Sequence, residues 1–336
     1  MSRQRYIYAS ARVRANEKNL LSREKLNQMI DAKNLDDAVK ILEDSGYGGE
    51  GERLQPLEYE KILKKESDKL YAFLNSLAPG ADEFKVFFYP IDYHNLKVLL
   101  KEEGLGLSGG AYEAVSLSEG GSIAPDKLRA AFRERDFRVL TPNMKKALEE
   151  ALDSLARLKD PQSIDLICDR ACAAELTELT ERCKNSYLTG YVRLSLDCTN
   201  IKTFVRCRRM GESWSYFETV FLSGGNISRD TFVSGYDEPI QSFAQKVSAQ
   251  ALKAALDKGG QELKERGSFT EIEKLLDDAL IAYVRNAKYI SFGIEPLIGY
   301  AVGKQTEIKN VRILLSGKLA ELPPETLRER MREVYG

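Results

Sequence analysis

Asp92-Tyr93-His94-Asn95-Leu96-Lys97-Val98-Leu99-Leu100-Lys101 and Asp197-Cys198-Thr199-Asn200-Ile201-Lys202-Thr203-Phe204-Val205-Arg206 read as two versions of one helical segment. A third stretch, Lys304-Gln305-Thr306-Glu307-Ile308-Lys309-Asn310-Val311-Arg312-Ile313, matches them less closely at nearly equal spacing along the chain. Each has an aliphatic residue (Leu96, Ile201, Ile308), a lysine (Lys97, Lys202, Lys309) and, after one residue, an apolar position (Leu99, Phe204, Val311). A helix with one buried and one wet face needs that order. In this alignment Asn95, Asn200 and Glu307 are equivalent.

Flanking sequence keeps the same phase. Glu60-Lys61-Ile62-Leu63 precedes the first anchor as Glu273-Lys274-Leu275-Leu276 precedes the third, and Gly120-Gly121-Ser122-Ile123 follows the first as Gly224-Gly225-Asn226-Ile227 follows the second. The chain is therefore predicted to be three copies of one helical unit, approximately 1–121, 122–226 and 227–336, within a single integrated body. Each copy is expected to open with a capped helix, near Ser22, Ser122 or Ser228. Fused units that bury apolar faces only against one another stack or ring about an axis. The predicted fold is all-α, a pseudo-threefold, funnel-shaped body with very little strand.

Helix signals fit this. Ser22 and Asn34 are N-caps for two short helices, carrying Leu26, Met29 and Ile30, and then Leu35, Ala38, Val39 and Leu42, with Gly46 as the stop. From Leu57 a long apolar stripe runs to Leu77, where Pro79-Gly80 ends it. Phe84 to Lys101 contains Pro90, so a kink or break is expected there.

Composition narrows the function classes. Fifty basic against fifty-one acidic residues leave a net charge of −1, which gives no field to draw the chain to nucleic acid. The stretch Tyr289 to Gly303 contains Glu295 and Pro296 and is shorter than the roughly 20 apolar residues of a spanning helix. Met1 to Arg14 lacks the apolar core of a secretory signal. These features place the chain in the cytoplasm with no transmembrane segment. The cysteines Cys168, Cys172, Cys183, Cys198 and Cys207 are odd in number and form no C-x-x-C pair, so reduced helical thiols are expected.

No chemical motif survives its context. Gly104 to Gly110 fits G-x-G-x-x-G but follows a charged helix end instead of a buried strand. Gly303-Lys304 is followed by Gln305, and Ile298 stands where a P-loop needs its first glycine. His94 is the one histidine and reads as a surface residue. Asp36-Asp37 and Asp277-Asp278 lack a third acid at metal-binding spacing and read as helix-start carboxylates. No catalytic, cofactor-binding or metal-binding residue is predicted. A helical hydrolase or synthase is the weaker class, and an adaptor binding another protein is the alternative that the repeat alone supports.

Three passages resemble the family of C subunits of V-type and archaeal-type ATPases, related to the d subunit of the eukaryotic V-type ATPase. They are Tyr6 to Arg14 with Glu17 and Leu20-Leu21, the Asn95 and Asn200 anchors, and Phe292 to Tyr300 with Lys304, Glu307 to Lys309, Arg312 and the closing Tyr335-Gly336. Gln305 departs from the pattern, since the family often has an acid at or beside that position. The resemblance implies a non-catalytic central-stalk subunit of a rotary, proton- or sodium-translocating ATPase or ATP synthase. It implies a shaft of the D and F subunits on one side, a membrane rotor ring of proteolipid subunits on the other, and a place on the inner face of the cell membrane. Arg12, Arg14, Asn95, Asn200, Gly293, Pro296, Tyr300, Glu307 and Arg312 are the motif positions it marks, as structural or partner-contacting residues. Gly293, Gly299 and Gly303 are expected to allow close helix approach beside Pro296.

Overall fold

A computed structural model describes residues 6–48, 55–77, 80–104, 116–158 and 160–336. Among them every regular element is helical and none is a strand. In chain order these are α1 (Ile7–Glu17), α2 (Arg23–Asp31), α3 (Leu35–Asp44), α4 (Tyr59–Leu77), α5 (Lys85–Gly104), α6 (Pro125–Glu134), α7 (Pro142–Leu158) and α8 (Gln162–Cys183). They continue with α9 (Ser186–Met210), α10 (Trp214–Val220), α11 (Arg229–Ser234), α12 (Ile240–Gln245), α13 (Gln250–Arg266), α14 (Thr270–Arg285), α15 (Ile294–Leu319) and α16 (Pro324–Arg330). The all-α class follows the sequence reading, while residues 105–110 of the G-x-G-x-x-G stretch lie outside the described residues.

The chain forms two compact units, residues 1–80 with 238–336, and residues 81–237. In the first, α15 is the central helix, flanked by α1, α4 and α14. Its core joins Leu26, Met29, Leu42 and Leu63 to Val311 and Leu314, all fully buried, and each such side chain contributes about 1.5–3 kcal/mol. In the second, α5 packs on α7 and α8. Phe204 of α9 meets Phe217, Phe232 and Tyr236 edge-on, with ring centroids 5.6, 5.4 and 5.6 Å away.

Caps form where sequence chemistry places them. Ser22 Oγ accepts from the Lys25 amide and Asn34 Oδ1 from that of Asp37, opening α2 and α3. Ser228 opens α11 in the same way, accepting from the Thr231 amide. Ser122 does not cap α6: the helix opens at Ala124 with Pro125 in its first turn, and Ser122 is engaged by Asp92 instead. Two further differences are structural. α1 precedes the first helix read from sequence, because its buried stripe is only Ala9, Ser10 and Val13 and carries little hydrophobic signal. α5 runs unbroken through Pro90, which lies near its start on the exposed side.

Candidate functional site

The repeated segment is built around a two-part joint. Asn95 donates its amide to the Ser118 carbonyl at 2.9 Å and accepts from the Ser118 N–H at 2.8 Å. Asn200 makes the same pair with Leu222 (2.8 and 2.9 Å), and Asn310 with Arg332 (3.1 and 2.9 Å). A buried side-chain amide thus satisfies both polar groups of one residue's backbone, which would otherwise be left without partners.

One turn earlier on each helix stands a buried carboxylate. Asp92 accepts from the Ile123 N–H at 3.0 Å and from the N–H and Oγ of Ser122. Asp197 accepts from the Ile227 N–H at 3.0 Å and from the backbone and side-chain N–H groups of Asn226. Glu307 accepts from the Leu21 N–H at 2.6 Å. Burial pushes the Asp92 carboxyl up to about 6 even with its three donors. A Cβ on Gly121 or Gly225 would lie 2.2 Å from the aspartate oxygen, so the second glycine of each Gly-Gly pair admits the carboxylate.

These contacts correct the register of the third anchor. Asn310, not Glu307, answers to Asn95 and Asn200, and Glu307 answers to Asp92 and Asp197. The two alignments differ by three residues, close to one helical turn, so the same face is apolar in both and periodicity alone does not separate them. In the corrected register Arg312 answers to Lys97. Lys97 pairs with Asp169 of α8 at 2.6 Å and Arg312 with Glu60 of α4 at 2.9 Å.

Glu307 also belongs to a buried charge cluster. Lys304 Nζ reaches Glu307 at 2.6 Å and Glu66 at 3.3 Å, and lies 4.4 Å from the centre of the Tyr47 ring. Tyr47 donates its hydroxyl to Glu307 at 2.6 Å, and Lys69 pairs with Glu66 at 2.6 Å. Burial first, then the Glu307 charge, holds the Tyr47 phenol well above its ordinary range. Tyr300, edge-on to Phe73 at 5.8 Å, is pushed up to about 12 by burial. The cluster forms one wall of a cleft of about 810 Å³. Both oxygens of Glu307 are taken by protein donors, so the carboxylate is placed to fasten α15 to the segment before α2 and to Tyr47, and not to act as a free base.

The other motif positions are dispersed along α1, α15 and their neighbours. Arg14 pairs with Glu17 at 2.8 Å and donates to the carbonyls of Ala287 (2.6 Å) and Ile290 (2.9 Å), tying α1 to the turn before α15. Arg12 donates to the Tyr8 hydroxyl at 2.7 Å and lies 5.9 Å from the Phe73 ring centre. Gly293, at φ 148°, exchanges backbone hydrogen bonds of 3.2 Å with Ser10 Oγ. Pro296 is buried in the first turn of α15, where no amide is required.

The C-terminal segment carries most of what sequence reading missed. Gly299 and Gly303 leave room for Tyr335: a Cβ on Gly303 would lie 2.7 Å from that of Tyr335. Asp277 and Asp278 are not at a helix start but in the middle of α14. Asp277 accepts from Arg332 at 2.9 Å and Lys309 at 2.5 Å, and Asp278 accepts from the Glu333 N–H at 2.6 Å. They fasten the tail, and only the fold brings residues 277 and 332 together. Asp92 and Asp197 could have been found from sequence, since both sit three residues before the repeated asparagine.

The Cys168 and Cys172 thiols are pushed up to about 12 by burial, and Cys183 to about 11. Among the described residues no His, Cys, Asp and Glu group is placed to hold a metal ion, and no helix is long and apolar enough to cross a membrane. His94 is exposed.

Comparison with known proteins gives one answer. The family described as ATP synthase (C/AC39) subunit matches residues 9–330. The C subunit of the V-type sodium ATPase of Enterococcus hirae is 28% identical, over 96% of this chain and 97% of its own length. The C subunit of the A-type ATP synthase of Methanocaldococcus jannaschii is 27% identical, over 96% of this chain and 85% of its own. With the match running over residues 9–330, nearly the whole of the sequence, the chain belongs to the ATP synthase (C/AC39) subunit family.

Proposed function

We propose that the chain is the non-catalytic central-stalk subunit of a rotary V/A-type ATPase or ATP synthase. It joins a shaft of the D and F subunits to the membrane ring of proteolipid subunits and passes torque between them. It works on the inner face of the membrane, with ATP chemistry left to other subunits. The observation that carries this reading is the family match over residues 9–330. The names of the relatives, each the C subunit of a V-type or A-type machine, support it.

The thrice-occurring carboxylate and asparagine joint supports a body of three similar units, 1–121, 122–226 and 227–336, arranged as a funnel. A torque-bearing part must resist deformation, and close-packed helices with buried, fully partnered polar groups deform little. The purified chain is expected to capture a D–F shaft complex and, separately, a detergent-solubilised proteolipid ring in pull-downs at low salt. Capture of neither overturns the reading in favour of an adaptor for some other protein.

A further inference from the structure

The first compact unit has two chemically different ends, set by the direction of its helices. α1 runs alongside α15, with Ser10 beside Gly293 and Leu21 beside Glu307. α4 runs the opposite way, with Phe73 beside Tyr300 and Glu60 beside Arg312. The start of α1, the end of α4 and the turn 286–292 therefore share one end. The start of α4, the α2–α3 turn and α16 share the other, about 39 Å away along α15.

The first end is aromatic and free of acids. Tyr289 is 90% exposed, Tyr8 63%, Ile7 50% and Phe292 42%. Arg12 and Lys288 stand exposed among them, and residues 7–12, 72–76 and 286–292 contain no Asp or Glu in a chain that has fifty-one. At the opposite end Leu57 and Leu319 are also exposed, but there Asp31, Asp36, Glu58, Glu60 and Glu325 face solvent. At the second end the acids are offset by ion pairs, Asp31 with Arg328, Glu58 with Lys61 and Glu60 with Arg312. At the first no acid of these segments offsets Arg12 and Lys288, so an anionic surface attracts the first. Tyrosine bodies with cations beside them suit the boundary between lipid headgroups and water, where an apolar ring and a polar tip are both accommodated.

Resting on the membrane-associated reading above, we infer that the end formed by the start of α1, the end of α4 and the 286–292 turn docks on the anionic headgroup surface of the bilayer. Tyr8, Tyr289 and Phe292 enter the interface, and Arg12 and Lys288 pair with lipid phosphates.

The test uses the full chain and vesicles of phosphatidylcholine with or without phosphatidylglycerol. The chain is expected to co-sediment with the phosphatidylglycerol vesicles and to be released by salt. Replacing Tyr8, Tyr289 and Phe292 together by serine should weaken partitioning about tenfold, on the scale of one buried aromatic side chain. In a Trp214→Phe background, Tyr289→Trp should show blue-shifted emission quenched by brominated lipid. Absence of vesicle binding, or binding indifferent to the triple substitution, overturns the inference. If the triple variant instead loses a detergent-solubilised ring while the native chain ignores vesicles, the patch is a protein contact and the lipid assignment falls. Capture of the D–F shaft by the native chain, measured alongside, shows whether the connector reading stands in each case.

Discussion

Asn200 uses both halves of its amide on the backbone of one residue, and that makes its replacement informative. In Asn200→Ala the N–H and C=O of Leu222 lose their partners in a partly buried setting, which should cost about 1–3 kcal/mol and lower the urea midpoint accordingly. Asn200→Asp keeps an acceptor for the N–H but sets an oxygen against the Leu222 carbonyl, so it should not rescue. A loss below about 0.5 kcal/mol would mean that water replaces the side chain. Asp92 offers a pH test. Its folded-state value of about 6 stands above the ordinary 3.8, so its contribution to stability is complete below pH 3.8 and is lost as pH rises through about 6. At about 1.4 kcal/mol per pH unit the change amounts to about 3 kcal/mol. Unfolding of the native chain and Asp92→Asn between pH 4 and 7 should show the native chain losing that much relative to the variant. A difference constant with pH contradicts it.

Between elements, the C-terminal segment approaches α15 closely. Gly303→Ala places a methyl 2.7 Å from Tyr335 Cβ, so it should destabilise by about 1–3 kcal/mol as an overpacked core does. The displaced tail should become sensitive to carboxypeptidase, whereas Gly211→Ala, strained by its left-handed φ of 76° but with nothing within 4 Å at its helix end, should leave the tail protected. The legibility of the elements follows the same physics. α2, α3 and α4 were readable because caps and wide apolar stripes coincide. α1 was not, because its buried face is made of small residues. Pro90 suggested a break, yet it lies near the start of α5 with its ring outward, where a long packed helix tolerates it. Arg12, Arg14 and Tyr300 were marked in advance, but Glu66 and Arg332 were not, and Asp277 was read as a helix-start carboxylate, since their meaning comes from partners that only folding brings near.

For the whole molecule, the order in which the joints close decides which one matters most. Asp92 and Asp197 hold amides 31 and 30 residues further along the chain, whereas Glu307 holds one 286 residues away. Short loops keep the first two joints near closure even when the side-chain bonds are lost, but the third has no such covalent support. In sequence Glu307 was marked as a motif position but aligned one turn out of register. Glu307→Ala removes the acceptor of the Leu21 N–H and the Tyr47 hydroxyl and leaves Lys304 with Glu66 alone, a buried imbalance worth about 3–5 kcal/mol. Glu307→Gln retains an acceptor of the same shape and should lose less. On the connector role proposed above, a chain loosened at this joint should, in an assembled, reconstituted complex, still permit ATP hydrolysis while ion uptake falls, so the ratio of ions moved to ATP hydrolysed drops. Asp92→Asn, at a joint backed by a short loop, should leave that ratio near native. If Glu307→Ala lowers hydrolysis and transport in parallel, the joint does not carry torque, and its role ends with folding the chain.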